Sequence, residues 1–225
     1  MSLNYPPYTA RDTVTGTDKI WQVTPLFSKP LSMSIIDDKM TGDIFRMFKK
    51  LSDDKTRWIE DNEDSGTNGA VTINKDVLSF DPDLKKYLTE MSLGCLKGVL
   101  GHDTDVQITT SWFTKTRENG SCIAHIHQNS WYSAVVYFGE YYDGSSPLQF
   151  NGTYDQISPM NVVEPNFFNS NTWLVRPKRG LMVLFPSNLS HEVLQSGNVQ
   201  ERYSLAFNLM PHGPSGMGDS AYVYQ

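Results

Sequence analysis

The sequence predicts a mainly β fold with N-terminal helices, a double-stranded β-helix of the jelly-roll, cupin-like kind. Two observations carry that expectation. After Gly101 come about eight short stretches that alternate with period two or form brief apolar runs bounded by turn residues. Ahead of them stand two segments whose apolar residues recur at three- and four-residue spacings, as amphipathic helices require. Eight short strands hide most of their edges by folding into two packed sheets, and helices can cover one outer face. A chain of 225 residues can close this way as one unit with a sizeable core. The expected organisation is a single domain over 1–225: helical support over 16–101, a jelly-roll core over 102–210 and a tail over 211–225.

The first helix is expected over Lys39 to Leu51, where Met40, Ile44, Phe45, Phe48 and Leu51 share one face. The second opens at Asp81-Pro82-Asp83, with Asp81 as N-cap and Pro82 in the first helical position. Its apolar set is Leu84, Leu88, Met91, Cys95, Leu96 and Val99, and Gly101 ends it. Asp61 to Gly69, rich in Asp, Asn, Gly and Ser, reads as a surface loop. The first 15 residues receive no structural weight. Strands are expected near Val106 to Lys115, Cys122 to His127, Ser133 to Phe138, Pro147 to Phe150, Thr172 to Arg176, Leu181 to Phe185, Glu192 to Gln195 and Arg202 to Asn208, with a terminal one at Ala221 to Tyr224. The aperiodic segment Gly152 to Asn171 has the length and composition of a binding loop.

A net charge of −6 and a pI near 5.3 oppose binding to phosphate backbones, so nucleic acid is not the expected partner. No apolar stretch is long enough to cross a membrane, and no signal-peptide order is visible at the N-terminus. Cys95 falls in a helical pattern and Cys122 in a strand, an unpromising pair for a disulfide. The expected compartment is the reducing cytoplasm.

The chemistry concentrates in three of the five histidines. His125 and His127, at i and i+2 of a strand, project from one face and can share an ion. With His191 they make three convergent imidazoles with open coordination positions, the pattern of a catalytic rather than a structural metal site. His102 and His212 read as solvent-facing bystanders. If Gly197-Asn198 centres a hairpin, His191 faces Ser204 and Val193 faces Arg202, which aims Arg202 and Ser204 into the same interior as the metal ligands. A buried guanidinium near a metal suits a short dicarboxylate: one end chelates, and the other takes two parallel charge-assisted hydrogen bonds.

The order His125-x-His127, then Gly180-Leu-Met-Val-Leu-Phe-Pro-Ser-Asn-Leu-Ser-His191, then Arg202-Tyr-Ser-Leu-Ala-Phe-Asn208 resembles the iron(II) and 2-oxoglutarate-dependent oxygenases, most closely a small bacterial and phage branch. Thr24 to Phe27 and Ser111 to Phe113 add weaker matches. The resemblance implies iron(II) held by His125, His127 and His191, and 2-oxoglutarate clamped through Arg202 and Ser204, with Tyr137 and Asn129 as further co-substrate contacts. It implies hydroxylation of an aliphatic C–H, with dioxygen consumed and 2-oxoglutarate decarboxylated to succinate. Trp131, Tyr132 and the Gly152 to Asn171 loop would then position an unknown small-molecule or peptide substrate. His127 stands where the superfamily usually places Asp or Glu. A register of His127-x-Asn129 is the alternative ligand pair. Two other functions stay open: a cupin-like three-histidine metalloenzyme without 2-oxoglutarate, and a jelly-roll binding module.

Overall fold

The computed structural model describes residues 8–11, 20–23, 28–61, 66–152, 164–166, 168–195 and 201–225. Strands β1 (Tyr8–Arg11) and β2 (Ile20–Val23) pair with each other alone. Next come β3 (Ser32–Ile35), helix α1 (Asp38–Ser52), β4 (Trp58–Glu60), β5 (Thr67–Thr72) and helix α2 (Pro82–Leu93). The remaining strands are β6 (Asp105–His125), β7 (Tyr132–Val136), β8 (Leu148–Asn151), β9 (Thr172–Val175), β10 (Leu181–Pro186), β11 (His191–Val193), β12 (Arg202–Ser215) and β13 (Tyr222–Tyr224). Along the main hydrogen-bonded path the order is β3-β10-β7-β12-β6-β11-β8-β9, with neighbouring strands antiparallel.

The curl follows from β6. In the larger layer Asp105 to Thr116 pair with β12 and Thr114 to Ser121 pair with β5, and the last residues leave to pair with β11. The bend falls at Asn119, which is left-handed at φ 57, and Gly120, where a Cβ would meet the Asn68 carbonyl oxygen at 2.8 Å. What reads as two strands in the sequence is therefore one bent strand. One face of the larger layer packs on the helices through Phe113, Ala134, Val136, Leu205, Phe207 and Leu209, against Ile44, Phe48, Leu84 and Leu88. The alternate residues look inward, where Val135, Tyr137, Leu148, Phe150, Val175, Val183 and Phe185 form a second core between the layers.

Helix α1 buries the expected face. Helix α2 starts as expected, Asp81 accepting from the Leu84 N–H at 3.0 Å, and runs on as a π-helical turn over Gly94–Val99. Gly101, at φ +74, follows that turn. Val99 departs from the expected apolar face: it is 68% exposed, because the wider π turn rotates it off the core. Other expectations are corrected too. Thr67 to Gly69 belong to β5 rather than a loop, and the unassigned segments 32–35 and 58–60 are strands. Tyr8–Arg11, within the stretch given no weight, is a strand. The residues expected as a tail extend β12 to Ser215 and return as β13. Most of Gly152 to Asn171, the Gly197-Asn198 turn and Thr24 to Phe27 lie outside the described residues.

Candidate metal centre and cofactor pocket

His125 and His191 face each other across the β6–β11 ladder, the cross-strand arrangement that brings Cβ atoms closest. Beyond the end of β6, His127 is held by its own N–H, which donates to the Ser187 carbonyl at 3.0 Å. Ring centres lie 4.4 Å apart for His125 and His191, 5.0 Å for His127 and His191, and 5.2 Å for His125 and His127. Potential ligand atoms of all three fall within 4.8 Å of one another, and Nε2 of His127 is 3.2 Å from Nε2 of His191.

Two rings are oriented from behind. His125 Nδ1 lies 2.8 Å from the Ile123 carbonyl and His191 Nδ1 lies 2.9 Å from the Leu189 carbonyl, so each donates Nδ1–H and turns a bare Nε2 inward. Burial, reinforced by the neighbouring His125, lowers His127 to about 4 and His191 to about 3. Both imidazoles are neutral at pH 7, the ligating form. Phe185 packs edge-on against His191 at 4.8 Å, a physical source of that burial.

The histidines line a cavity of about 460 Å³, within the ~300–1,000 Å³ range of small-molecule sites. Its floor is the inward face of β6, β12 and β7. Arg202 stands opposite Thr116, Ser204 opposite Thr114, Ala206 opposite Trp112 and Asn208 opposite Thr110. All eight residues line the cavity. The expected β11–β12 hairpin does not exist: both strands flank β6 on different stretches of its length. Arg202 and Ser204 reach the histidine cavity nonetheless, through their even-numbered register on β6.

Arg202 is 3% exposed. Its Nη2 donates to the Tyr137 hydroxyl at 2.9 Å, while Nε is buried with no hydrogen-bond partner. Among the described residues no carboxylate pairs with it. Tyr137 is fully buried, which pushes its phenol up and keeps it protonated despite the adjacent guanidinium. Ser204 Oγ is 2.6 Å from Thr114 Oγ1.

Other expected contacts are not brought together. Asn129 is exposed in a left-handed turn at φ 51 and does not line the cavity. Trp131 and Tyr132 pack on the helix-facing side with His102, whose Nε2 is 3.2 Å from the Tyr132 hydroxyl. His102 is thus a packed residue rather than a solvent-facing one, whereas His212 is exposed. Cys122 forms no disulfide and lines the cavity beside His125. Trp112, Lys75 and Asn208 were not among the expected site residues. The alternation Thr110-x-Trp112-x-Thr114-x-Thr116 is the signal that marks this wall.

Residues 110–208 match the family described as "Putative 2OG-Fe(II) oxygenase", a span that contains all three histidines, Arg202 and Ser204. That match, together with the three-histidine cavity, indicates an oxygenase that uses iron(II) and 2-oxoglutarate, the first of the three functions left open above. No curated protein matches it in sequence. Solved structures agree on the fold. A Pseudomonas putida prolyl-4-hydroxylase superposes with TM-score 0.55 at 15% identity, over 80% of this chain and 93% of that one. An oxidoreductase of the 2OG-Fe(II) oxygenase family from Burkholderia pseudomallei gives 0.56 at 13%, over 80% and 84%. HygX from Streptomyces hygroscopicus, with nickel and 2-oxoglutarate bound, gives 0.57 at 10%, over 81% and 83%. Among the described residues no helix is long and apolar enough to cross a membrane.

Proposed function

We propose that Nε2 of His125, His127 and His191 hold the iron and that Arg202, with Ser204 and Tyr137, binds the distal carboxylate of 2-oxoglutarate. The oxygenase then hydroxylates an aliphatic C–H of a small-molecule or peptide substrate in the cytoplasm. One observation carries this reading: a buried guanidinium with an unpartnered Nε and, among the described residues, no carboxylate neighbour stands in the same cavity as three convergent imidazoles. A buried cation without an anion is strongly destabilising, so the site fits an anionic ligand.

Each residue has a task. The histidines leave open positions opposite a half-enclosed space, and their backbone-held Nδ1–H groups fix ring orientation before any ligand arrives. Tyr137 accepts one guanidinium N–H and retains its own proton, so it can donate to the same carboxylate. Phe185, Val135 and Leu148 keep the wall between the layers apolar and limit water. When bound, the iron supplies dioxygen activation coupled to oxidative decarboxylation of 2-oxoglutarate to succinate and carbon dioxide. The three-histidine set, with His127 where the superfamily usually has a carboxylate, supports placing the chain in the small bacterial and phage branch.

Anaerobic addition of iron(II) and 2-oxoglutarate is expected to produce a visible charge-transfer band that Arg202→Met weakens at subsaturating 2-oxoglutarate. Succinate release across a panel of candidate substrates then identifies the one that is oxidised. Absence of the band from intact, iron-loaded protein counts against the assignment.

A further inference from the structure

This inference rests on the ligand set proposed above and concerns how its third member is held. The three imidazoles are not supported alike. His125 and His191 stand in the β6–β11 ladder, and each ring leans on a backbone carbonyl through Nδ1. His127 has neither support: β6 ends at His125, and among the described residues no carbonyl meets its Nδ1. It lies in the connection from Ile126 to Trp131, which turns through left-handed Asn129 at φ 51. Yet its Nε2 comes to 3.2 Å from Nε2 of His191, a separation that one ion can bridge. Something outside the ladder must fix this ring.

Ser187 has the contacts to do so. It follows β10 directly and is 0% exposed. Its carbonyl accepts the His127 N–H at 3.0 Å and its own N–H donates to the Trp131 carbonyl at 3.0 Å, so its main chain grips both sides of the turn. Its hydroxyl adds a second grip: Oγ lies 2.8 Å from Ser130 Oγ and 2.8 Å from Ser133 Oγ. Ser133, itself buried, donates on to Oδ1 of Asn208 at 2.8 Å, and Asn208 Nδ2 donates to Thr110 Oγ1 at 3.0 Å. Ser133, Asn208 and Thr110 belong to β7, β12 and β6. The chain of polar side chains thus ties the turn to the ladder that carries Arg202. Ser130 and Ser133 direct their protons to the Tyr132 carbonyl and to Asn208, which leaves Ser187 as the donor between them. Removing its hydroxyl therefore loosens the turn without orphaning a buried donor.

We infer that Ser187 is a positioning residue for the metal centre. Its buried hydroxyl, joined to Ser130 and Ser133, clasps the His127 turn against β7 and β12 and holds that imidazole at bridging distance from His191. Ser187 touches neither the metal nor the substrate and acts through His127. Outer partners that orient a ligand change metal affinity by ~10–100-fold, and Ser187 belongs with them.

Cobalt(II), titrated without oxygen or co-substrate, is the probe, because its visible bands report both occupancy and coordination geometry. Ser187→Ala is expected to bind it about tenfold more weakly, with shifted bands. Ser92→Ala is the matched lesion: Ser92 is 0% exposed in α2, its Oγ donates to the Leu88 carbonyl at 2.8 Å, and its loss should leave cobalt affinity and bands unchanged. Metal-free protein gives a second readout. There Ser187→Ala should speed exchange of the His127 amide by about tenfold, and should move the His127 ring signals in NMR spectra more than those of His125 or His191. Unchanged cobalt affinity and bands in Ser187→Ala, an equal loss in Ser92→Ala, or unmoved His127 signals would each overturn the inference. If wild type takes up no cobalt(II), the ligand assignment fails, and the metal-free spectra still decide the clasp. Should Ser187→Ala not fold, Ser133→Ala breaks the same chain one link further on and is read by the same outcomes.

Discussion

The two ends of this cavity share one strand but are built by opposite devices. At the Arg202 end, β6 runs in a continuous ladder with β12, and Arg202, Ser204 and Tyr137 are 3%, 3% and 0% exposed. At the histidine end, β6 has passed its bend and pairs with a three-residue strand through a shifted register. His125 and His127 are half-buried there, and Ile123 and Ile126 at the rim are 66% and 47% exposed. The difference separates two demands. On the proposed assignment, a co-substrate of fixed shape is met by side chains locked into a long ladder, while the end that admits dioxygen and substrate lies where backbone pairing runs out.

Substitutions should therefore separate by end. The largest effect is expected for His191→Ala, which removes the most buried imidazole and the cross-strand partner of His125. Loss of a direct ligand should exceed the ~10–100-fold penalty for losing an outer partner, and metal analysis should find the variant essentially without iron. Equal iron in variant and wild type would sink the assignment. Arg202→Met should leave iron content intact but weaken 2-oxoglutarate by ~30-fold or more, read from titration of the charge-transfer band. It carries a second signature. Because the guanidinium is buried with an unpartnered Nε, the ligand-free variant should melt higher than wild type although its co-substrate binding is worse.

Much of the histidine end could be read directly from residue order, because i and i+2 spacing in extended chain is local geometry, although the strand expected to reach His127 stops at His125. The Arg202 end was reached by a wrong route. Arg202 and Ser204 were aimed inward by a hairpin with His191, whereas each pairs with β6, some 90 residues away in the chain. Parity along β12 survives that error, since any antiparallel partner presents alternate residues to the same face. Trp131 and Tyr132 had no such protection. One residue of phase decides that Ser133 and Val135 look inward and Tyr132 outward, and a strand buried on both faces does not reveal its phase. Lys75 was invisible for another reason: it precedes a 3₁₀ segment and reaches the cavity through a single parallel bridge, which has no sequence period.

The histidine end should also set the acid sensitivity of the metal-free protein. His127 and His191 sit at about 4 and about 3 in the folded chain, below the ordinary histidine value of ~6.5. Between those values the unfolded chain binds more protons than the folded one, so stability rises with pH. The contribution is fully present above pH ~6.5 and is lost as pH falls towards 4 and 3. At pH 5 each ring costs about 2 kcal/mol. Melting of the metal-free protein should fall between pH 7 and pH 5, and His191→Gln should flatten that slope. An unchanged slope in the variant would place the acid sensitivity elsewhere, away from this end.

The smallest effect is the most discriminating. Tyr137 lies wholly inside the second core, its hydroxyl accepting from Arg202 at 2.9 Å and its ring centre 5.0 Å from the guanidinium carbon. Tyr137→Phe keeps the ring and its packing and removes one oxygen. Arg202 then loses a hydrogen-bond partner, and the co-substrate carboxylate loses a donor, a cost of about 1–2 kcal/mol or roughly tenfold in the KM for 2-oxoglutarate. Iron content should not move, because the metal site does not pass through the Tyr137 hydroxyl. If iron affinity fell as far as co-substrate affinity, the cavity would be one coupled unit. The division between a locked end and an open end would then have no functional meaning.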